Sequence, residues 1–168
     1  MWKTRWKMLI KSPGFTRNVE NRRFSMEIRF VKLKPRCLTP RRQTEGSAGC
    51  DLCACLSEPY TLRPGETFTV PLGFAAEIPP GYAGFVFSRS GLGSKRGVVV
   101  AQGVGVIDSD YRGEWMVPLR NLGQKDYVIA PGERIAQVVF LPAAPGEFVQ
   151  AEALSGTERG HGGFGSTG

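Results

Sequence analysis

Two carboxylates end an apolar run in GVGVIDSDYRGE, residues 103–114, where Asp108 and Asp110 are followed directly by Tyr111. An aspartate placed against Ile107 is costly to desolvate unless it has a task. At a strand end such a group can polarise a water molecule or hold a hydrated cation. A hairpin tip whose aspartates bond their own backbone would account for the same residues. SRSGLGSKRG, residues 88–97, sets Arg89, Ser90 and Lys95 among glycines. A polar loop of this kind can wrap a phosphate with free amides, a hydroxyl and a cation, or it can simply turn the chain. AGCDLCA, residues 48–54, puts Asp51 in an apolar strand, where a structural hydrogen-bonding role is the commoner one. In GERIAQVVF, residues 132–140, Arg134 and Gln137 fall on opposite faces of a strand unless a bulge intervenes. The chain closes on ERGHGGFGSTG, a glycine-rich tail carrying Arg159 and Phe164.

The elements that must position these groups read as strands. From Met26 onward there is no amphipathic helix of useful length, and short alternating or apolar runs are punctuated by Pro-Gly turns. After Pro64-Gly65, the residues Phe68, Val70, Leu72 and Phe74 recur at period two, and the Pro-Gly-Glu turn returns at 131–133 ahead of another strand. RGVVVAQGVGVI reads as a strand buried on both faces. These features predict one all-β barrel or sandwich over residues 26–150 and a mobile C-terminal arm over 151–168.

Composition narrows the function classes. A hydrophobic share of 41% and a charged share of 22% suit an ordinary globular domain, and no apolar run is long enough to span a membrane. The net charge of +7 would suit a nucleic-acid binder, but residues 1–25 alone hold seven cations against Glu20. That leaves +1 for the rest, so the basicity belongs to a leader and not to the domain. We expect residues 1–25 to be a disordered extension or a mis-set start, with an organelle address as the second reading and a nucleic-acid arm as the third. Cys37, Cys50, Cys53 and Cys55 are expected to be small packed thiols of a reducing, cytoplasmic compartment, with no metal cage and no disulfide.

The five stretches AGCDL, RSGLGSKRG, GVIDSDYRGE, GERIAQ and RGHGGFGSTG, in this order and spacing, resemble the five motifs of the trimeric dUTPases (deoxyuridine triphosphate nucleotidohydrolases). The resemblance runs from about Met26 to Gly168. It implies a distorted jelly-roll β-barrel with a flexible C-terminal arm, a homotrimer with active sites shared between subunits, and hydrolysis of dUTP to dUMP and pyrophosphate. Such an activity keeps uracil out of DNA and supplies dUMP for dTMP synthesis.

On this resemblance Asp108 is the base that orients the attacking water, and Tyr111 lies under the deoxyribose and excludes a 2′-hydroxyl. The backbone around Gly105, Val106 and Ile107, with Gln102, reads the uracil. Arg89, Ser90, Gly91 and Gln137 hold phosphate oxygens. Mg²⁺ is carried mainly by the substrate phosphates, and Asp51 touches its shell through water. Arg159 pairs with the γ-phosphate and Phe164 stacks on the uracil, while Gly165, Ser166 and Thr167 close on the phosphates. Three positions depart from the motifs. Ser88 stands for proline or alanine, which we expect to have no consequence. Gln102 stands for Asn or Asp, which bears on uracil selection, and Cys50 stands for an aromatic residue, which bears on packing. Two alternatives are a dUTPase fold kept as a binding or regulatory module and a dCTP deaminase. The deaminase is disfavoured because Gly91 follows Ser90 and Pro118 falls at or near its glutamate position.

Overall fold

Pro-Gly turns and alternating apolar residues divide the chain into short strands, and in the computed structural model, which describes residues 26–163, they close around one core. The order is β1 (Arg29–Lys32), β2 (Cys50–Cys53), β3 (Tyr60–Leu62), β4 (Thr67–Pro71), β5 (Phe74–Glu77) and β6 (Tyr82–Ser88). Then come the helix α1 (Ser90–Arg96), β7 (Val98–Val100), β8 (Val104–Ile107), β9 (Met116–Asn121), β10 (Tyr127–Ile129) and β11 (Arg134–Pro142). Every strand pairing is antiparallel. The sheets run β2-β11-β6-β8, β4-β9-β7, β1-β5 and β10-β3, and together they form the expected jelly-roll barrel.

The period-two residues point where the sequence places them. Val70, Leu72 and Phe74 are buried, and Phe74 packs on Trp115 with ring centroids 5.2 Å apart. Leu52, Leu62, Leu119, Ile129, Ile135 and Val138 complete the centre. Each such side chain contributes about 1.5–3 kcal/mol of burial.

Two expectations fail on local grounds. The apolar run 98–107 is two strands, because Ala101-Gln102-Gly103 turn the chain, with Gly103 N–H donating to Val100 O at 3.0 Å. β7 then joins β9 and β8 joins β6, in different sheets, and Val104 and Val106 are exposed instead of buried. The stretch after Arg89 is a helix of seven residues and not a loop; Leu92 is its one buried residue, and Gly97 caps its end in the left-handed region at φ 71°. One apolar residue among glycines leaves no 3.6-residue period to read.

The repeated Pro-Gly-Glu turn has a structural counterpart. Glu66 accepts the Tyr60 hydroxyl and the Arg63 N–H, and Glu133 accepts the Tyr127 hydroxyl and the Ala130 N–H. β3 and β10, which carry the two tyrosines, pair with each other. Asn121 is buried completely and satisfies three groups: Nδ2 donates to Leu62 O and Lys125 O, and Oδ1 accepts the Gly123 N–H. It fastens β9 to β3 and to the 122–125 turn. The four thiols are free, with Cys37 and Cys55 buried. Among the described residues no helix is long and apolar enough to cross a membrane.

Replacing Asn121 with leucine should lower the unfolding free energy by about 2–4 kcal/mol, since the Leu62 and Lys125 carbonyls and the Gly123 amide lose their partner. An unchanged urea midpoint would refute that role. Alkali should act as well. Burial, and then the bond to Glu133, pushes the Tyr127 hydroxyl up to about 12. The bond to Glu66 raises Tyr60, and burial raises the thiols of Cys37, Cys50 and Cys53. All five are raised acids that the fold keeps protonated. Their contribution is therefore full below the unfolded pKa values of about 8.5–10 and is lost as pH rises through the folded ones. Urea midpoints should hold up to about pH 8.5 and fall between roughly pH 9 and 12.

Candidate active site

Asp51 sits on β2 with only 11% of its side chain exposed, and a carboxylate so placed requires charged partners. Arg89 Nε reaches its Oδ1 and Arg134 Nη1 reaches its Oδ2, both at 3.1 Å. Arg89 also donates Nη1 to the Arg134 carbonyl at 2.9 Å. This pairing is possible because β11 is bulged. Arg134 stands opposite Cys53 and Ala136 opposite Leu52, so the extra residue brings both Arg134 and Gln137 alongside Asp51. Gln137 lies directly across from Asp51 and donates Nε2 to Ser88 O at 3.3 Å.

These groups wall a cavity of about 290 Å³ in which Asp51, Arg89, Ser90 and Gln137 meet. Its far wall is Gln43 and Ser47, for which the sequence offers no role, with Ala48 and Gly49 of the AGCDL stretch. The available signal was the run of small residues before Asp51: a Cβ on Gly49 would lie 3.0 Å from Gln137 Oε1 and 3.2 Å from Val138 O, a tight fit that favours glycine where that loop approaches β11. Ser90 and Gly91 form the exposed first turn of α1. Ser88, one of the three departures, accepts the Val100 N–H at its hydroxyl at 2.8 Å and so ties β6 to β7. A larger cavity of about 550 Å³, mainly apolar, lies between Phe30, Phe74, Trp115 and Phe140 and has Arg42 as its one charged lining residue.

The second group of residues lies at the other end of the sheet. β8 pairs with β6 on one side only, with Gly84 opposite Ile107 and Phe87 opposite Val104, and it is an edge strand. Gly105 is buried against Val86, and Gln102 lies beside it. The antiparallel register sends β8 out at Asp108 level with the start of β6, whereas Arg89 and Ser90 follow its end. Six strand residues separate the two points, roughly 20 Å. One chain therefore unites Asp51, Arg89, Ser90 and Gln137 and holds Asp108 and Tyr111 apart from them.

Asp108 is exposed, so the desolvation cost expected from its neighbour Ile107 does not arise. Neither Asp108 nor Asp110 forms a side-chain hydrogen bond or ion pair among the described residues. The turn is held instead by Tyr111 N–H donating to Asp108 O and by Arg112 donating to Ser109 O. Tyr111 is 43% exposed and folds back over Gly113, where a Cβ would lie 2.6 Å from its Cζ; its hydroxyl donates to Glu114 O at 3.0 Å. Arg159 is exposed and donates Nε to Gly162 O in its own turn. Phe164, Gly165, Ser166 and Thr167 lie outside the described residues.

Among the described residues no three His, Cys, Asp or Glu side chains converge as a metal cage, and both Asp51 oxygens already face guanidinium groups. Such a donor set fits a hard cation that arrives on phosphate oxygens, with Asp51 reaching at most its water shell.

The sequence model of the dUTPase family matches residues 37–168. A deoxyuridine 5'-triphosphate nucleotidohydrolase of Desulfitobacterium hafniense is 49% identical over 144 residues, which is 85% of this chain and 95% of that relative. The enzyme of the same name from Burkholderia ambifaria is 46% identical over 85% of this chain and 97% of its own length. Among solved structures, the dUTPase of Staphylococcus bacteriophage 80alpha with dUPNHPP superposes with a TM-score of 0.79 at 30% identity, covering 86% of this chain and 99% of that one. A dUTPase from phage phi11 of S. aureus, solved for the coordination of a structural Mg(II) ion, gives 0.70 at 25% identity, covering 76% and 98%.

The Gly113→Ala variant should drive the Tyr111 ring from its seat, because the new methyl occupies that position. A crystal structure of the variant should show the bond to Glu114 O broken. A ring left in place would mean that Gly113 does not set its position.

Proposed function

Since the chain belongs to the dUTPase family, we propose that it is a dUTP diphosphatase that forms dUMP and pyrophosphate at sites assembled between copies of the chain. The observation that carries this reading is the convergence of Asp51, Arg89, Ser90 and Gln137, from three separate stretches, on one polar cavity. Because one chain leaves Asp108 and Tyr111 at the far end of the sheet, the complete site takes its phosphate-binding half from one copy and its base-and-sugar half from another. The exposed Val104, Val106, Met116, Tyr82 and Leu141 supply apolar surface for such an assembly, a homotrimer in the reading adopted here.

The uracil edge meets the free side of β8. Strand amides and carbonyls form a fixed donor and acceptor row there, which rejects the cytosine amino group by leaving buried polar groups unpaired. Tyr111, seated on Gly113, lies flat under the sugar and leaves no space for a 2′-hydroxyl. Arg89, Ser90 and Gln137 hold the α- and β-phosphate oxygens. Asp108 accepts a proton from a water molecule whose oxygen bonds to the α-phosphorus. The bond from that phosphorus to the bridging oxygen of the β-phosphate breaks, and pyrophosphate leaves with the electron pair. Bound Mg²⁺ neutralises charge on the triphosphate. Arg159, released from Gly162, pairs with the γ-phosphate, Phe164 stacks on the uracil, and Gly165, Ser166 and Thr167 close on the phosphates. The four free thiols suit a cytoplasmic setting.

Purified protein should convert dUTP, and not dCTP, dTTP or UTP, to its monophosphate and pyrophosphate, with the reaction stopped by excess chelator. Anion-exchange chromatography of the products tests this, and no conversion of any of the four would refute the enzyme reading. Asp108→Asn should bind nucleotide normally and lose at least about 100-fold in kcat, as expected for removal of a general base. Turnover near the wild-type rate would remove Asp108 from that role.

A further inference from the structure

Asp51 has a third arginine beside it, and this one is unused. The segment preceding β2 returns to it at Arg41, where the Asp51 N–H donates to the Arg41 carbonyl at 2.8 Å in an isolated antiparallel bridge. Residues directly opposite in an antiparallel pair share one face of the sheet. Gln137 is opposite Asp51 on its other side, so Arg41, Asp51 and Gln137 form a row across three strands on one face. Arg89 and Arg134 are both committed to the Asp51 carboxylate, whereas the Arg41 guanidinium is exposed and has no ion pair among the described residues.

Arg41, Thr39, Gln43, Arg134 and Asp51 line a hollow of about 220 Å³. Asp51 and Gln43 line it in common with the 290 Å³ phosphate cavity, so the two adjoin at those residues. The smaller hollow has two guanidiniums against one carboxylate that is already neutralised. Its chemistry is that of an anion site, and the phosphate-binding groups stand at its border.

We infer that Arg41 is a further substrate-binding residue, contacting the terminal phosphates of a nucleoside triphosphate whose α-phosphate lies in the adjoining cavity. The inference rests on the proposed hydrolysis of dUTP and deepens it. Arg41 makes the site responsive to the length of the phosphate chain, because a monophosphate ends before reaching it. The pinning bond uses the Arg41 carbonyl, so the side chain can be removed without releasing the loop.

The test is calorimetric titration of the full chain, as wild type, Arg41→Ala and Arg41→Lys, with inorganic tripolyphosphate and separately with dUMP, alongside dUTP kinetics and urea midpoints. Arg41→Ala should weaken tripolyphosphate about tenfold and raise KM for dUTP by a similar factor. The dUMP affinity, kcat and the urea midpoint should be unchanged, and Arg41→Lys should fall between. Equal tripolyphosphate affinity in wild type and Arg41→Ala would overturn the inference, as would no tripolyphosphate binding by the wild type or an equal loss for dUMP. If the wild type hydrolyses dUTP while Arg41→Ala is indistinguishable from it, only the inference fails. If dUTP survives intact while tripolyphosphate binding still depends on Arg41, the anion site stands and the reading of function fails.

Discussion

The carboxylate of Asp51, shared between Arg89 and Arg134, is the contact on which the functional face depends. It joins three elements that are distant in sequence: β2, the junction between β6 and α1, and the bulged start of β11. Little of Asp51 is exposed, and two guanidiniums brought this close would repel one another without it. The pairing also assigns Asp51 its chemistry. Both of its oxygens are taken by guanidiniums, whereas Asp108 is exposed and unengaged among the described residues, which is why the proposed site gives the water to Asp108.

Strand direction has an equally large effect. An antiparallel pair sends its two chains out at opposite ends, and β6 and β8 place different groups there: the cation-rich turn into α1 at one end, and the carboxylate and tyrosine at the other. No side-chain rotamer spans that distance. In the proposed mechanism, association between copies is therefore a requirement of the chemistry and not only a source of stability.

Much of this was legible in the sequence, and the failures share a cause. Val70, Leu72 and Phe74 could be read because alternation survives into the barrel, and the Pro-Gly turns because their backbone preference is local. The helix at Ser90 and the break at Gln102 were missed because each is shorter than the window that reveals a period. The sequence allowed for a bulge in β11 but could not place it, since an inserted residue changes register only against a partner strand. Asn121 was overlooked for a similar reason: its three partners lie in β3 and in the turn that follows it, and nothing in MVPLRN marks an asparagine as buried. The order of five motifs reported the family and its barrel better than any single residue did, because the barrel sets their spacing.

The open edge of β8 has a consequence for how such a protein changes over generations. A pocket that discriminates with side chains can be re-tuned by one codon. A row of backbone amides and carbonyls is the same whichever residues carry it, so exchanges at Val104 or Val106 alter bulk and leave the donor and acceptor order untouched. In the proposed site, base selectivity is thereby shielded from most single substitutions. It is open to change chiefly through insertions, deletions or proline, which shift or interrupt the strand itself.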